Sequence, residues 1–165
     1  MNRHPAAMPP EGIHRYVVRV YYEDTDAGGV VYHASYLRFA ERARTEALRD
    51  LGIPHADLLQ RYTLMFMVRR IEVDYLRSAR VDDSLVVETI VTAVGGASVG
   101  LRQVVRGPAG DCAVLTMRLA CIAPGEGGHK PGRLPPQWRG VLQAMCDARA
   151  GAAATDTGAA RRGAA

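Results

Sequence analysis

The chain has 165 residues, of which 48% are hydrophobic and 23% charged, with a net charge of +4 and a sequence pI of about 9.2. That length supports one domain with a real core, and no apolar run approaches the roughly 20 residues a membrane-spanning helix needs. The mild basic balance is carried almost wholly by arginine, and basic residues do not interleave with aromatics, so a nucleic-acid surface is excluded.

In chain order, residues 1–12 are Pro-rich and are expected to form a mobile arm. The arm holds Arg3 and His4 but no apolar core of a signal peptide, so a cytoplasmic location is expected. A strand is predicted over His14–Tyr22, where Val18, Val20 and Tyr22 alternate with Val17, Arg19 and Tyr21. A junction follows over Glu23–Tyr32, and then a helix over His33–Leu51. Its apolar stripe is Tyr36, Ala40, Ala43, Ala47 and Leu51, closed by Gly52 and Pro54. Glu41, Arg44 and Arg49 lie off that stripe and are expected to be solvated or paired.

A short helical turn is predicted at His55–Tyr62, and β-structure takes over from Leu64. The strands are Met65–Tyr75, Leu85–Val94, Ser98–Arg106 and Cys112–Ala123, the last with Ala113, Leu115, Met117, Leu119 and Cys121 on one face. Gly95-Gly96 and Gly107–Asp111 read as tight turns, and Leu76–Asp83 as a polar loop. Gly125–Pro136 reads as a Gly/Pro loop and Gln137–Ala148 as a short helix. The segment 149–165 is Ala/Gly/Arg low complexity, read as a disordered tail, which leaves 13–148 as the domain. Strands joined by tight turns are antiparallel neighbours, so the expected fold is α+β, one long helix packed on an antiparallel sheet.

The chemistry concentrates where strand gives way to helix. Glu23-Asp24-Thr25-Asp26-Ala27-Gly28-Gly29 admits two readings from its residues alone. It is a plain turn, or it presents Asp26 beside the unpaired amides of a helix start, a constellation suited to acyl transfer. In the second reading Asp26 attacks a carbonyl or activates water. His33 then matters through its backbone amide as much as through its ring. The oxyanion role falls on main chain at about Tyr32–Ala34, Tyr36 and Phe39 stand nearby as lining or as core, and Arg77, Arg80 and Lys130 as phosphate contacts or solvated surface. A calcium loop is rejected, because Ser35 occupies the position of the bidentate acid. Cys112, Cys121 and Cys146 are an odd set without CxxC spacing, against a disulfide framework and a zinc site. Gly96-Ala97-Ser98-Val99-Gly100 matches G-x-S-x-G but lies between two strands, so it is read as a chance match.

The continuous stretch Tyr21–Tyr36, with Glu41-Arg42-Ala43-Arg44-Thr45-Glu46, Leu76–Arg80, Asp82-Asp83 and Arg133-Leu134-Pro135, closely resembles the Tol-Pal-associated acyl-CoA thioesterases. These belong to the 4-hydroxybenzoyl-CoA thioesterase branch of the hotdog superfamily. The resemblance covers about residues 16–141. It implies an antiparallel sheet wrapped around one long helix, dimers or tetramers with active sites at the dimer interface, and hydrolysis of acyl-CoA without metal or cofactor. It places the catalytic carboxylate on Asp26 and the polarising amide on His33; Tyr32, Tyr36, Arg77 and Arg80 are the expected substrate contacts beside them. A hotdog dehydratase is a weaker fit, since its acid and His are placed differently. The rival from another class is a non-catalytic partner of acyl carrier protein or of a cell-envelope assembly, for which an intact Asp26 serves no purpose.

Overall fold

The computed structural model describes residues 8–125 and 128–162, with side chains described through Ala153. The expected arm up to residue 7, the loop residues Glu126 and Gly127 and the tail from residue 163 lie outside the described residues. The elements are β1 (Ile13–Arg19), α1 (His33–Asp50), α2 (His55–Tyr62), β2 (Met65–Tyr75), β3 (Ser84–Val94), β4 (Ser98–Gly107), β5 (Gly110–Ala123), β6 (Lys130–Pro131) and α3 (Pro136–Arg162). The sheet runs β1-β3-β4-β5-β2, with β6 added to β5, and every pair is antiparallel. This is the hotdog arrangement, a curled antiparallel sheet around a long helix.

Connectivity explains the wrap. The chain leaves β1 at one edge, runs α1 across the inner face, and returns as β2 at the opposite edge. Tyr36, Ala40, Ala43 and Ala47 of the predicted stripe, joined by Phe39 and Leu48, are buried against the sheet. Small alanines at one-turn spacing let the helix axis approach the strands closely. From the sheet, Ala113, Leu115, Met117, Leu119 and Cys121 all face this core, while Thr116 and Arg118 point outward and are exposed. Gly52 takes a left-handed φ of 74°, which ends α1 as a glycine after a helix does.

The fold differs from the expectation in four places. The first strand stops at Arg19, because Asp24 draws Tyr22–Asp24 into a 3-10 turn. The Tyr21 amide donates to Asp24 Oδ2 at 3.0 Å and the Asp24 amide donates back to Tyr21 O at 3.0 Å. A second helix shares the inner face, for α3 buries Trp138, Leu142 and Met145 at helical spacing. That helix does not end at Ala148; its backbone stays helical to Arg162 through the segment read as a disordered tail, in keeping with alanine's high helix propensity. The last residues of the expected arm also belong to the core. Pro10–Gly12 form a turn against α3, and a Cβ at Gly12 would lie 2.2 Å from Met145 O, so only glycine fits.

Arg44, expected to be solvated or paired, is paired but buried, at 8% exposure under α1. Its Nη1 donates to Gln103 Oε1 at 3.0 Å, and it forms an ion pair with Glu41. Gln103, fully buried on β4, donates in turn to Ala40 O at 3.0 Å and to Thr89 Oγ1 at 2.9 Å.

Candidate active site

The junction is built by a short backbone ladder. Thr25 and Val31 form an antiparallel bridge, as do Val30 and Arg80. Between Thr25 and Val31 the chain reverses. The Asp26 amide donates to Val30 O at 2.9 Å, the Gly29 amide donates to Asp26 O at 3.0 Å, and Gly29 takes a φ of 73° that a side chain would oppose. Asp26 Oδ1 accepts the Gly28 amide at 2.8 Å, which fixes the plane of an exposed carboxylate. The Tyr32 amide then donates to Asp24 O at 2.8 Å, and α1 begins at His33 with no side-chain cap. The Ser35 amide donates to Tyr32 O at 2.8 Å, which leaves the His33 and Ala34 amides without an intrahelical acceptor at the positive end of the helix dipole.

Asp26 and His33 line one surface cleft of about 320 Å³, together with Val31, Tyr36, Tyr75, Leu76, Arg77 and Ser78. The cleft is closed on its inner side by two tyrosines. Tyr75 OH donates to His33 O at 3.0 Å, which ties the end of β2 to the start of α1. Tyr36 OH accepts the Ala79 amide at 3.1 Å and reaches Arg77 O at 3.4 Å, which holds the loop carrying Arg77. Burial pushes the Tyr36 phenol above its usual pKa, so it stays protonated as a donor.

Of the residues read from the sequence, the structure brings Asp26, His33, Tyr36 and Arg77 together. Tyr32 flanks them, its ring centroid 4.2 Å from that of His33, but it does not line the cleft. Arg80 does not either. Its amide donates to Asp83 Oδ2 at 2.8 Å and its side chain is exposed. Leu76 and Ser78, within the resembling segment Leu76–Arg80 but not read as site residues, also line the cleft, and so does Tyr75, which no motif in the sequence marks. The Gly96–Gly100 match falls on the hairpin between β3 and β4, where the Gly95 amide donates to Ser98 O at 2.8 Å, so it lacks the strand-to-helix elbow a serine nucleophile needs. Among the described residues no group of three or more His, Cys, Asp or Glu gathers as a metal site, and no helix is long and apolar enough to cross a membrane.

The Tyr36 hydroxyl gives a local prediction. Tyr36→Phe leaves the buried Ala79 amide without an acceptor and frees the Arg77 loop. It is expected to lower stability by about 1–3 kcal/mol, read as a shifted urea midpoint with an unchanged slope.

Residues 28–113 match the family model described as Thioesterase superfamily. A relative from Haemophilus influenzae, named acyl-CoA thioesterase YbgC, is 46% identical over 120 residues, covering 73% of this chain and 87% of the relative. The acyl-CoA thioester hydrolase YbgC of Escherichia coli O6:H1 is 51% identical over 89 residues, 54% of this chain and 66% of the relative. Among solved structures, a probable thioesterase from Bartonella henselae superposes with a TM-score of 0.69 at 37% identity, covering 74% of this chain and 99% of that one.

Proposed function

The chain belongs to the thioesterase superfamily, and from that premise we propose that it is an acyl-CoA thioesterase, hydrolysing the thioester to free acid and CoA with Asp26 as the reacting carboxylate. The observation that carries this reading is the meeting of Asp26 and the first residue of α1 in one cleft. The thioester oxygen docks on the His33 amide, where the helix dipole favours the negative charge that develops as the carbonyl is attacked. One such preorganised donor contributes about 3–4 kcal/mol to the transition state. Asp26 then either attacks the carbonyl carbon, expelling CoA thiolate and leaving a mixed anhydride for water to cleave, or takes a proton from the water that attacks. Both routes need the carboxylate ionised. The His33 ring, with the Tyr32 ring tilted against it, borders the acyl side, and Tyr36 backs the pocket.

Arg77 at the cleft and Arg80 farther along the same loop meet the CoA phosphates. No cofactor or metal is required. The outer edge of β2 has no strand partner among the described residues and exposes Met67, Val68 and Tyr75. Such an edge supports pairing between two copies, hence a homodimer, and dimers of dimers as a homotetramer. The junction motif supports membership of the Tol-Pal-associated group within the 4-hydroxybenzoyl-CoA branch. The enzyme then works in the cytoplasm, with acyl carrier protein as a candidate second partner.

The direct experiment follows thiol release from a panel of short, long and aromatic acyl-CoAs. Turnover of at least one class is expected, and thiol release from none would overturn the reading.

A further inference from the structure

Tyr75 ends β2 in the wall of the Asp26–His33 cleft, and its hydroxyl donates to His33 O at 3.0 Å. Neither partner needs that bond. His33 O opens the ladder of α1, where the amide four residues on already donates to it. The Tyr75 hydroxyl sits at an exposed contact, where water satisfies a hydroxyl as well as a carbonyl does.

The ring is nevertheless held in place. Directly after Tyr75, the Leu76 and Arg77 amides both donate to Cys112 O, at 2.8 and 3.2 Å, which pins the end of β2 beside β5. The Tyr75 ring meets the Tyr36 ring at 5.8 Å between centroids and the His33 ring at 6.3 Å, both edge-on. Such pairs are attractive and directional. An anchored main chain and two rings thus aim the phenol at the first turn of α1.

Connectivity says what the bond does there. His33 O and the Ala34 amide belong to one peptide group. A donor on the carbonyl end of a peptide draws electron density from its nitrogen, and the N–H at the other end becomes a stronger donor. The preceding peptide is polarised in the same sense, for the Ser35 amide donates to Tyr32 O at 2.8 Å, and that group carries the His33 amide. The two free amides at the start of α1 therefore each lie on a peptide whose carbonyl accepts an added bond. For His33 the added donor comes from the helix's own first turn. For Ala34 it comes from a side chain 42 residues from His33. Both amides point out of the helix start, where negative charge is favoured.

We propose that Tyr75 is a positioning residue for the oxyanion site: its hydroxyl fixes and polarises the His33–Ala34 peptide, so that the Ala34 amide joins the His33 amide as a second donor to the thioester oxygen. Tyr75 gives up no proton. As Asp26 or water adds to the carbonyl carbon, the C=O π electrons move to oxygen. The two amides hold that charge until the C–S bond breaks and CoA leaves as the thiolate. This rests on the thioesterase reading and adds a residue to the same site.

Tyr75→Phe keeps the ring and removes the hydroxyl. Polarisation strengthens a bond by about 10–30%, and one oxyanion donor contributes about 10²–10³ in rate, so Tyr75→Phe is expected to lower kcat about two- to eightfold. KM is expected to stay within about twofold, because the bond acts on the transition state. Two further readouts separate polarisation from a simple brace. In the first, Tyr75 carries one and then two fluorines beside its hydroxyl, which makes the phenol a progressively stronger donor, at a pH where every phenol in the series is protonated. Each of these proteins keeps the bond to His33 O, so they test the inference whether or not Tyr75→Phe is destabilised. A brace leaves kcat flat along the series, and polarisation is expected to raise it with each fluorine. The second readout needs no turnover. Acyl-CoA labelled with heavy carbon at its thioester carbonyl is bound to Asp26→Asn, and the infrared C=O stretch is expected to fall on binding. Adding Tyr75→Phe is expected to shrink that fall. A flat fluorine series with a carbonyl stretch indifferent to Tyr75→Phe, in a protein whose wild type hydrolyses acyl-CoA, would overturn the role of Tyr75 and leave the thioesterase reading intact. A wild type that releases thiol from no acyl-CoA would overturn that reading and this inference with it.

Discussion

Asp26→Asn is expected to lower kcat/KM at least a hundredfold while leaving the fold untouched. The substitution separates charge from structure because of how Asp26 is held. Its Oδ1 accepts the Gly28 amide at 2.8 Å, and the side-chain carbonyl of asparagine can accept the same bond, so the turn through Gly29 survives. The side chain is exposed, so no packing is lost. The negative charge disappears, and with it both the nucleophile and the proton acceptor. A positioned base or nucleophile contributes typically 10²–10⁴-fold. The loss should appear in kcat, with the urea midpoint within about 0.5 kcal/mol of wild type, the range of an exposed substitution. Activity retained within a few-fold would move the chemistry to another group in the cleft. The residual rate, if measurable, reports what the α1 amide and binding supply without the carboxylate.

Asp26 and His33 can be paired from the amino-acid sequence alone because of where they stand. They are seven residues apart across a turn, and the strand and helix signals on either side fix the geometry between them. Tyr75 is 42 residues from His33, and its bond to His33 O exists only because β2 returns along the far edge of the sheet. No local pattern marks that closure. The helix α1 is legible from its stripe and its glycine stop, and the strands β2 to β5 from alternation and tight turns. The extent of α3 is not, because an Ala-rich segment satisfies two descriptions at once: low complexity by composition and strong helix former by propensity. Arg44 shows a different limit. Its position off the apolar stripe indicates a partner or water, and what no local pattern reveals is that Gln103, facing it from β4, makes burial tolerable.

That contact sets the other large effect. Gln103→Leu is expected to cost about 2–4 kcal/mol of folding stability, although leucine is similar in size and the site is fully buried. Gln103 is the hub of the polar contacts between α1 and the sheet, accepting from Arg44 and donating to Ala40 O and Thr89 Oγ1. A leucine there withdraws an acceptor from a guanidinium that burial already disfavours as a cation, and takes the side-chain donor away from Thr89 Oγ1 and from Ala40 O, which keeps only its intrahelical bond. Against a typical total of about 5–15 kcal/mol, that is a large share. The cost belongs to the orphaned partners more than to the lost bonds, so removing the cation as well should recover some of it. The double variant Arg44→Leu with Gln103→Leu is expected to be less destabilised than the sum of the single variants by at least about 1 kcal/mol, from urea unfolding of all four proteins. Strict additivity would mean that Glu41 and solvent fully satisfy Arg44 without Gln103. The network would then be incidental to holding α1 on the sheet.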